Sequence, residues 1–593
     1  MGEVTTRELQ FMVGHRTSAG LSPMSFGSPG NGADLLDTNK IVETLSAIPR
    51  LKVVRVVKRS KLATLSVLPQ ETHEDIVVVR ASDQEQVEHL HSVVGKVPAL
   101  LLERDYLLQH LGSFRPQFVD ARRSPSQVSA LCTRVRFHVR DGDNKPLQDV
   151  AIVVYGDDGA ENQGTTDQQG DASIDVAGGF LNHVAALYVK PAAGCWEKFV
   201  ERPTLDATEI NTVTLFPLQS FSAVDFPGNP FVGWGQRLMG LLTLDPQKCD
   251  GAGVRVAIID SGADTSHPAL AHIKIGRDYT NLDDNHDPNP DTWKEDSIHH
   301  GTHCAGIIGG NGQNGQIRGF APKAEVHVLK VFPGGAFNNL VAAINYCIDN
   351  RVHVVNCSLG SDMGSQLVTQ AVQRARQAGV AVFVAAGNSG GAVQFPANLP
   401  DVLCVSALGQ AGNFPDYTYH ARTMPDGATV VRGQVYPAKF SCHGPEVGVS
   451  GPGVGIISTV PNGYAAWDGT SMAAPHLTGL GALLAAHHPA LAGAKVRGAV
   501  WVDTLKSLIC SAAVPTGLAA QFGGIGLPNA AHLFDSGAAG QVASAMQISA
   551  PLSPDVVSQL VKAVLAALPR EAATPSTAPP IEPGASAATA IKH

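Results

Sequence analysis

Residues 254–260 read VRVAIID, a short apolar and β-branched run that is interrupted only by Arg255 and ends on an aspartate. Similar runs recur at 325–332 (EVHVLKVF), 352–360 (VHVVNCSLG), 380–388 (VAVFVAAGN) and 402–408 (VLCVSAL), with helical patterns between them. Continuous apolar strands joined by crossover-length helices are typical of a parallel sheet that is covered on both faces. The sequence therefore predicts an α/β fold, doubly wound around a mainly parallel sheet, over residues 251–535.

Three polar residues lie where these elements begin or end. Asp260 closes the strand at 254–260, His300 begins the small-residue helix of HHGTHCAG (299–306), and Ser471 begins the long helix of GTSMAAPHLTGLGALLAA (469–486). Each of them alone has a structural explanation as a turn former, a loop residue or a helix cap. Together they supply the nucleophile, the base and the orienting carboxylate of acyl transfer. A parallel sheet brings such positions to one rim, so we predict a single catalytic site there.

A fourth residue, Asn388, follows another strand in FVAAGNSGG (383–391), where its amide can stabilise the oxyanion of a tetrahedral intermediate. The segments DSG, HGTHCAG, AAGN and GTSMAAPH, in the order Asp, His, Asn, Ser, resemble the signature of the subtilisin-like serine proteases (subtilases, peptidase family S8). The resemblance covers about 253–531. It implies endopeptidase activity, a triad of Asp260, His300 and Ser471, an oxyanion hole that uses Asn388, and no cofactor for catalysis.

The same resemblance implies two walls of a substrate pocket, formed by Ser358, Leu359 and Gly360 on one side and by Ala385, Ala386 and Gly387 on the other. Walls of this kind leave an uncharged slot, so a hydrophobic residue is expected at the P1 position of the substrate. Many family members also bind structural calcium. The corresponding loop here, GGNGQNGQIRG (309–319), has no carboxylate, so calcium stays open but is not favoured and no metal is expected.

The chain upstream and downstream divides by composition into further regions. Residues 1–33 are predicted to be a flexible N-terminus, and 34–108 an α+β domain that resembles subtilase propeptide inhibitors, with an unrelated α+β module as the alternative. After a linker at 109–128, residues 129–218 are predicted to form an all-β sandwich that resembles transthyretin-like and carboxypeptidase-regulatory-like modules. A second linker is expected at 219–250. The Ala/Pro-rich tail, 536–593, is expected to hold one amphipathic helix.

These resemblances imply a zymogen whose prodomain inhibits the protease, with cleavage either in 109–128 or near 218–230. Two alternatives stay open for the protease, a dedicated processing enzyme for one partner protein and a scaffold without turnover. The intact set of four catalytic residues argues against the scaffold.

The composition of the chain argues against several kinds of binding partner and site. The net charge is -9 and no basic run accompanies it, which argues against nucleic acid as a partner. The nine cysteines have no metal-site spacing. No signal-peptide pattern begins the sequence and no apolar run is long enough to span a bilayer. We therefore expect a chain without a membrane span that starts in the cytoplasm, with non-classical export left open.

Overall fold

The largest sheet of the protein has nine strands, seven of which run parallel. The computed structural model describes residues 8–16, 37–60, 75–111, 132–177, 181–221, 231–246, 249–283, 286–427 and 433–534. In sheet order the strands are Pro288–Asn289, Ile275–Leu282, Glu325–Lys330, Arg255–Asp260, Val354–Cys357, Ala381–Ala385, Leu403–Gln410 and Val435–Pro437, and Val447–Pro452 also pairs with Leu403–Gln410. The first and the eighth of these strands pair antiparallel with their neighbours.

Helices cover both faces of this sheet. They are Trp234–Leu238, His300–Gly309, Phe337–Asp349, Gln366–Gln377, Thr470–His487, Ala499–Ser511, Ala520–Gly523 and Ala531–Phe534. On the central strand Arg255–Asp260, Val256 and Ile258 belong to one buried cluster, whereas Ala257 and Ile259 belong to the other. Successive side chains of a strand point to opposite faces, and both faces of this sheet are buried. The strand therefore needs apolar residues at successive positions rather than at alternate ones. The predicted α/β fold with a parallel core is confirmed.

An N-terminal unit packs four antiparallel strands against two helices. The strand order is Lys52–Val57, Ile76–Ala81, Leu9–His15 and Leu100–Arg104, and the helices are Thr38–Ser46 and Gln84–Gly95. Asp37 and Asp83 cap the two helices by accepting hydrogen bonds from backbone N–H groups. Phe11 and Val13 face these helices, whereas Met12 joins the core of the large sheet. Both faces of the N-terminal sheet are therefore buried.

The prediction of a flexible N-terminus over 1–33 is wrong for Leu9–His15, which forms an inner strand of that sheet. The surrounding Gly, Ser and Pro residues hid this strand in the sequence, and its pairing partners lie more than sixty residues away. The two predicted linkers also begin or end elsewhere. Gln109–His110 forms a short strand rather than linker, and Phe231 and Trp234 of the second linker are buried in the main core.

The part of the chain between the N-terminal unit and the large sheet forms two further sheets, which share one apolar core. Their strands are Lys198–Glu201, Val184–Lys190, Ala151–Gly156 and Glu161–Thr165 in one sheet, and Ile210–Leu215, Cys132–Asp141 and Asp171–Ala177 in the other, each in sheet order. Alternate residues point inwards, among them Val135 and Phe137 from one sheet and Ile152 and Val154 from the other. Residues 132–215 therefore pack as a sandwich, which we call the β-sandwich.

Short elements complete the described chain. Two-residue to five-residue strands pair as Gln109–His110 with Leu359–Gly360, Ile456–Val460 with Gly463–Trp467, and Ala513–Val514 with Leu527–Pro528, and 3-10 turns occur at Leu181–His183, Leu218–Ser220, Leu241–Thr243, Thr292–Lys294 and Tyr419–Thr423. No helix in the described ranges has the length and apolar character that crossing a membrane requires. The amphipathic helix predicted for the tail lies outside the described residues.

Candidate active site

Asp260, His300 and Ser471 lie at one rim of the large sheet, as their positions in the elements dictate. Asp260 is the last residue of its strand, His300 is the first of its helix, and Ser471 lies in the first turn of Thr470–His487. All three side chains are buried. Nδ1 of His300 is 2.7 Å from Oδ1 of Asp260, which also accepts a hydrogen bond of 2.7 Å from the backbone N–H of Ser261. These contacts fix the plane of the imidazole ring and leave Nε2 as the outward nitrogen.

The Ser471 hydroxyl donates a hydrogen bond of 2.8 Å to the backbone carbonyl oxygen of Leu111. Nε2 of His300 has no hydrogen-bond partner among the residues that the structure describes. A buried imidazole nitrogen without a partner is uncommon, and an unpaired nitrogen of this kind is what a serine nucleophile needs as the base that accepts its proton. The arrangement can perform nucleophilic acyl transfer once a peptide carbonyl lies beside Ser471.

Asn388 lies three residues beyond the strand Ala381–Ala385 and points at the same carbonyl. Its Nδ2 donates to the Leu111 oxygen at 2.6 Å. Its Oδ1 accepts from both the backbone N–H and the hydroxyl of Thr470, at 2.9 and 2.8 Å. Thr470, which the sequence analysis did not single out, therefore orients the amide so that its N–H groups face the Leu111 carbonyl oxygen.

Residues 107–111 lie beside Ser471 and Asn388 in the way that an extended peptide substrate would, and we call them the cleft segment. Gln109–His110 pairs antiparallel with Leu359–Gly360, and the backbone N–H of Leu111 donates to the Ser358 carbonyl at 3.3 Å. On the other side, the backbone N–H of Leu108 donates to the Gly335 carbonyl at 2.8 Å. The segment is therefore held by main-chain hydrogen bonds on both edges, which is the pattern of β-strand addition.

The predicted substrate-pocket residues separate into two groups. Ser358, Leu359 and Gly360 contact the segment, and a Cβ atom at Gly360 would lie 3.4 Å from a methyl carbon of Leu111. Ala385, Ala386 and Gly387 lie at the strand end that leads to Asn388. They contact the site through the 3.2 Å hydrogen bond that Gly387 N donates to the Thr470 hydroxyl.

Aromatic and imidazole rings surround the histidine. The Trp467 ring stacks on His303 at 4.8 Å between centroids and on His300 at 6.4 Å. Burial lowers the pKa of His303 to about 3, which keeps this neighbouring ring neutral. The ring of His110, on the cleft segment, lies 6.0 Å from that of His300. Sequence reasoning missed Trp467 and His110 because no motif contains either residue.

Comparison with known proteins adds the family. A model described as "Subtilase family" matches residues 251–528. Subtilisin from Bacillus pumilus is 34% identical over 263 residues, which cover 43% of this chain and 84% of that protein. Subtilisin E from Bacillus subtilis (strain 168) is 31% identical over 306 residues, 50% of this chain and 72% of that protein. Alkaline elastase YaB from a Bacillus species (strain YaB) is 31% identical over 300 residues, 49% of this chain and 71% of that protein.

These matches cover the large parallel sheet and the rim on which Asp260, His300 and Ser471 meet. They confirm the predicted family and the predicted reaction class, with protein or peptide as the substrate and no cofactor needed for catalysis. The chain belongs to the subtilase family and is a subtilisin-like serine endopeptidase.

Proposed function

We propose that Asp260, His300 and Ser471 form the catalytic triad and that Asn388 is the oxyanion donor. The observation that carries this is the Leu111 carbonyl oxygen, which accepts hydrogen bonds from Asn388 Nδ2 at 2.6 Å and from the Ser471 hydroxyl at 2.8 Å. The nucleophile and the amide donor therefore lie within hydrogen-bond distance of one peptide carbonyl, as nucleophilic attack with stabilisation of the oxyanion requires.

In the proposed reaction, Ser471 Oγ attacks the carbonyl carbon while its proton passes to His300 Nε2. Asp260 keeps the other proton on Nδ1 and stabilises the imidazolium. The oxygen that becomes negative keeps the bond from Asn388. His300 then protonates the leaving amine, the peptide bond breaks, and water attacks the acyl-enzyme by the same route in reverse order. A fluorophosphonate probe should label Ser471 in the wild type, and Ser471→Ala should lose both labelling and casein hydrolysis. Casein hydrolysis at the wild-type rate in that variant would refute the triad.

We further propose that the N-terminal α+β unit is the inhibitor of the protease. The proposal extends the predicted domain, 34–108, to include the strand Leu9–His15 and the cleft segment up to Leu111. Its support is the docking of the N-terminal sheet. Glu103 accepts hydrogen bonds from the Ser365 hydroxyl at 2.6 Å and from Gln366 N at 2.8 Å, at the start of one surface helix. Asp105 accepts from Asn338 N at 3.0 Å, at the start of another. Carboxylates at helix N-termini are favourable because the exposed N–H groups carry partial positive charge.

The proposed cleavage site is the peptide bond between Leu111 and Gly112, one of the two regions left open by the sequence. It rests on the position of the Leu111 carbonyl between Ser471 and Asn388. The mature chain should begin GSFRPQ and lack residues 1–111, as measured by intact mass and N-terminal sequencing. A first residue beyond 218 would contradict this site.

A hydrophobic P1 preference follows from the same segment. Leu111 is 6% exposed and lies beside Gly360 in the pocket that a substrate side chain would enter. The Leu111 side chain belongs to the buried apolar cluster of the protease, so an acidic or basic P1 side chain would lose hydration there without compensation. We expect peptides with P1 Leu to show a higher kcat/KM than matched peptides with P1 Asp or Lys. Equal values would contradict the pocket assignment.

We propose that the loop after the histidine helix holds no calcium. Its oxygen atoms belong to amides and backbone carbonyls and to no carboxylate, and the side-chain amide of Asn311 already donates to the Pro268 carbonyl at 2.8 Å. Calcium sites normally combine several oxygen ligands that include carboxylates. A chelator should therefore leave the melting temperature and activity unchanged. A large fall in melting temperature with EDTA, restored by calcium, would contradict this.

A further inference from the structure

The β-sandwich is joined to the protease by a buried charge cluster that the proposed mechanism does not use. The cluster consists of Glu197 on the β-sandwich side, His420 in the 3-10 turn Tyr419–Thr423, and Asp468, three residues before Ser471. All three side chains are buried, with 1–6% of each exposed. Nδ1 of His420 is 2.7 Å from Oδ1 of Asp468 and 3.7 Å from Oε1 of Glu197.

Hydrogen bonds hold both carboxylates in place. Glu197 accepts from the Tyr188 hydroxyl and, at 3.1 Å, from the backbone N–H of Tyr419. Asp468 accepts from the backbone N–H of Gly455 at 2.6 Å. Burial alone would lower the pKa of His420, but the carboxylates of Asp468 and Glu197 together raise the pKa above its usual value. A protonated imidazole between two buried carboxylates satisfies the need of buried charges for partners.

Asp468 connects this cluster to the catalytic residues. It is followed by Gly469, whose backbone φ of +153° favours glycine, and by Thr470, which orients the Asn388 amide. The next residue is Ser471. The residue before Asp468 is Trp467, whose ring stacks on His300. A shift of the Asp468 side chain is therefore transmitted through one short stretch of backbone to the nucleophile, the oxyanion donor and the base.

The β-sandwich also completes the core of the protease. Trp196 and Leu218 are 0% exposed and belong to the same buried cluster as the helices around His300 and Ser471. Backbone hydrogen bonds of 2.8 and 2.9 Å join Gly194 to Tyr464 and Phe199 to Tyr417. Removal of the β-sandwich would take the Trp196 indole out of this core and leave the charge cluster without the Glu197 carboxylate, and both changes are destabilising.

We propose that the β-sandwich stays part of the mature protease, and that Glu197, acting through His420 and Asp468, is a positioning residue for Ser471. This rests on the proposed role of Ser471 as the nucleophile. The module that precedes the protease is then a permanent part of the mature enzyme and not a second removable propeptide.

The test compares Glu197→Gln with Glu201→Gln in the full-length chain after maturation. Glu201 is a matched control because it also pairs with the 3-10 turn, through Arg422, but the pair is exposed (59% and 46%). Active sites are counted by labelling with a fluorophosphonate, and kcat is expressed per labelled site. A role limited to stability would lower the labelled fraction and the melting temperature but leave kcat per labelled site unchanged.

We expect Glu197→Gln to lower kcat per labelled site by about tenfold, with KM within about twofold, because small misplacements of a nucleophile carry costs of this size or larger. Glu201→Gln should match the wild type. If Glu197→Gln does not fold, kcat per labelled site is measured for Tyr188→Phe instead, because this change removes only the hydroxyl that donates to Glu197. A severalfold fall in kcat supports the proposal, and a wild-type kcat overturns it.

Intact mass supplies a second criterion. The active, labelled enzyme should contain the β-sandwich, residues 132–215, wherever its first residue lies, and active enzyme without the β-sandwich would overturn the proposal. Failure of the proposed function is distinguished by the wild type itself: an enzyme that is active but unlabelled at Ser471 refutes the triad, whereas a labelled wild type whose kcat Glu197→Gln leaves unchanged refutes only the positioning role of Glu197.

Discussion

Replacement of Leu111 should control maturation, because this side chain occupies the pocket beside the bond proposed to be cut. Leu111 is 6% exposed, so Leu111→Ala removes three buried carbons at about 0.8 kcal/mol each, about 2.4 kcal/mol in all, and slows cleavage by up to about sixtyfold. Leu111→Asp should slow cleavage further, because its carboxylate would also lose hydration in an apolar pocket.

The assay is a time course of intact mass during refolding of the full-length chain, which reports the rate and the position of cleavage together. Leu107 provides the matched control, since it lies in the same segment but is 66% exposed. Leu107→Ala and Leu107→Asp should process at nearly the wild-type rate. The reasoning is refuted if Leu111→Asp is cut at the 111–112 bond as fast as the wild type, or if the Leu107 variants are slowed equally.

Three further predictions concern the oxyanion donor, the docking of the inhibitor and its pH dependence. Asn388→Ala should lower kcat by about 10²–10³ with little change in KM, a range established on a related subtilisin, and an unchanged kcat in steady-state assays would exclude this donor. Glu103→Gln should release the cleaved N-terminal unit about twofold to thirtyfold faster, seen as an earlier onset of casein hydrolysis, because a charge of this kind at a helix start contributes about 0.3–2 kcal/mol. Burial and the neighbouring His300 lower the pKa of His110 in the cleft, so docking favours its neutral form and weakens as the pH falls below the usual value of about 6.5. Release should therefore be faster at pH 5 than at pH 7.5, and His110→Asn should lose this difference; a variant that keeps it would contradict the assignment.

The catalytic rim could be predicted from the sequence because each of its residues marks the boundary of a regular element. Asp260 ends an apolar strand, and His300 and Ser471 begin small-residue helices, so local pattern and chemistry agree. Asn388 follows the same logic at the end of the strand Ala381–Ala385. The parallel sheet then brings these boundaries to one edge without any further information.

Features that depend on pairing between distant segments could not be predicted in the same way. Leu111 reaches the site only because Gln109–His110 pairs with Leu359–Gly360, about 250 residues further along the chain. The strand Leu9–His15 was missed for the same reason. The stretch 417–437 is a further case: its described residues form the 3-10 turn Tyr419–Thr423, which contacts the β-sandwich, and the strand Val435–Pro437, which pairs with the large sheet.

The measurement that tests the central claim most directly is the intact mass of the wild type beside Ser471→Ala after identical refolding. The account predicts that the wild type loses residues 1–111 through cleavage at the Leu111–Gly112 bond, whereas Ser471→Ala keeps all 593 residues. Cleavage of purified Ser471→Ala at the same bond and the same rate would contradict it.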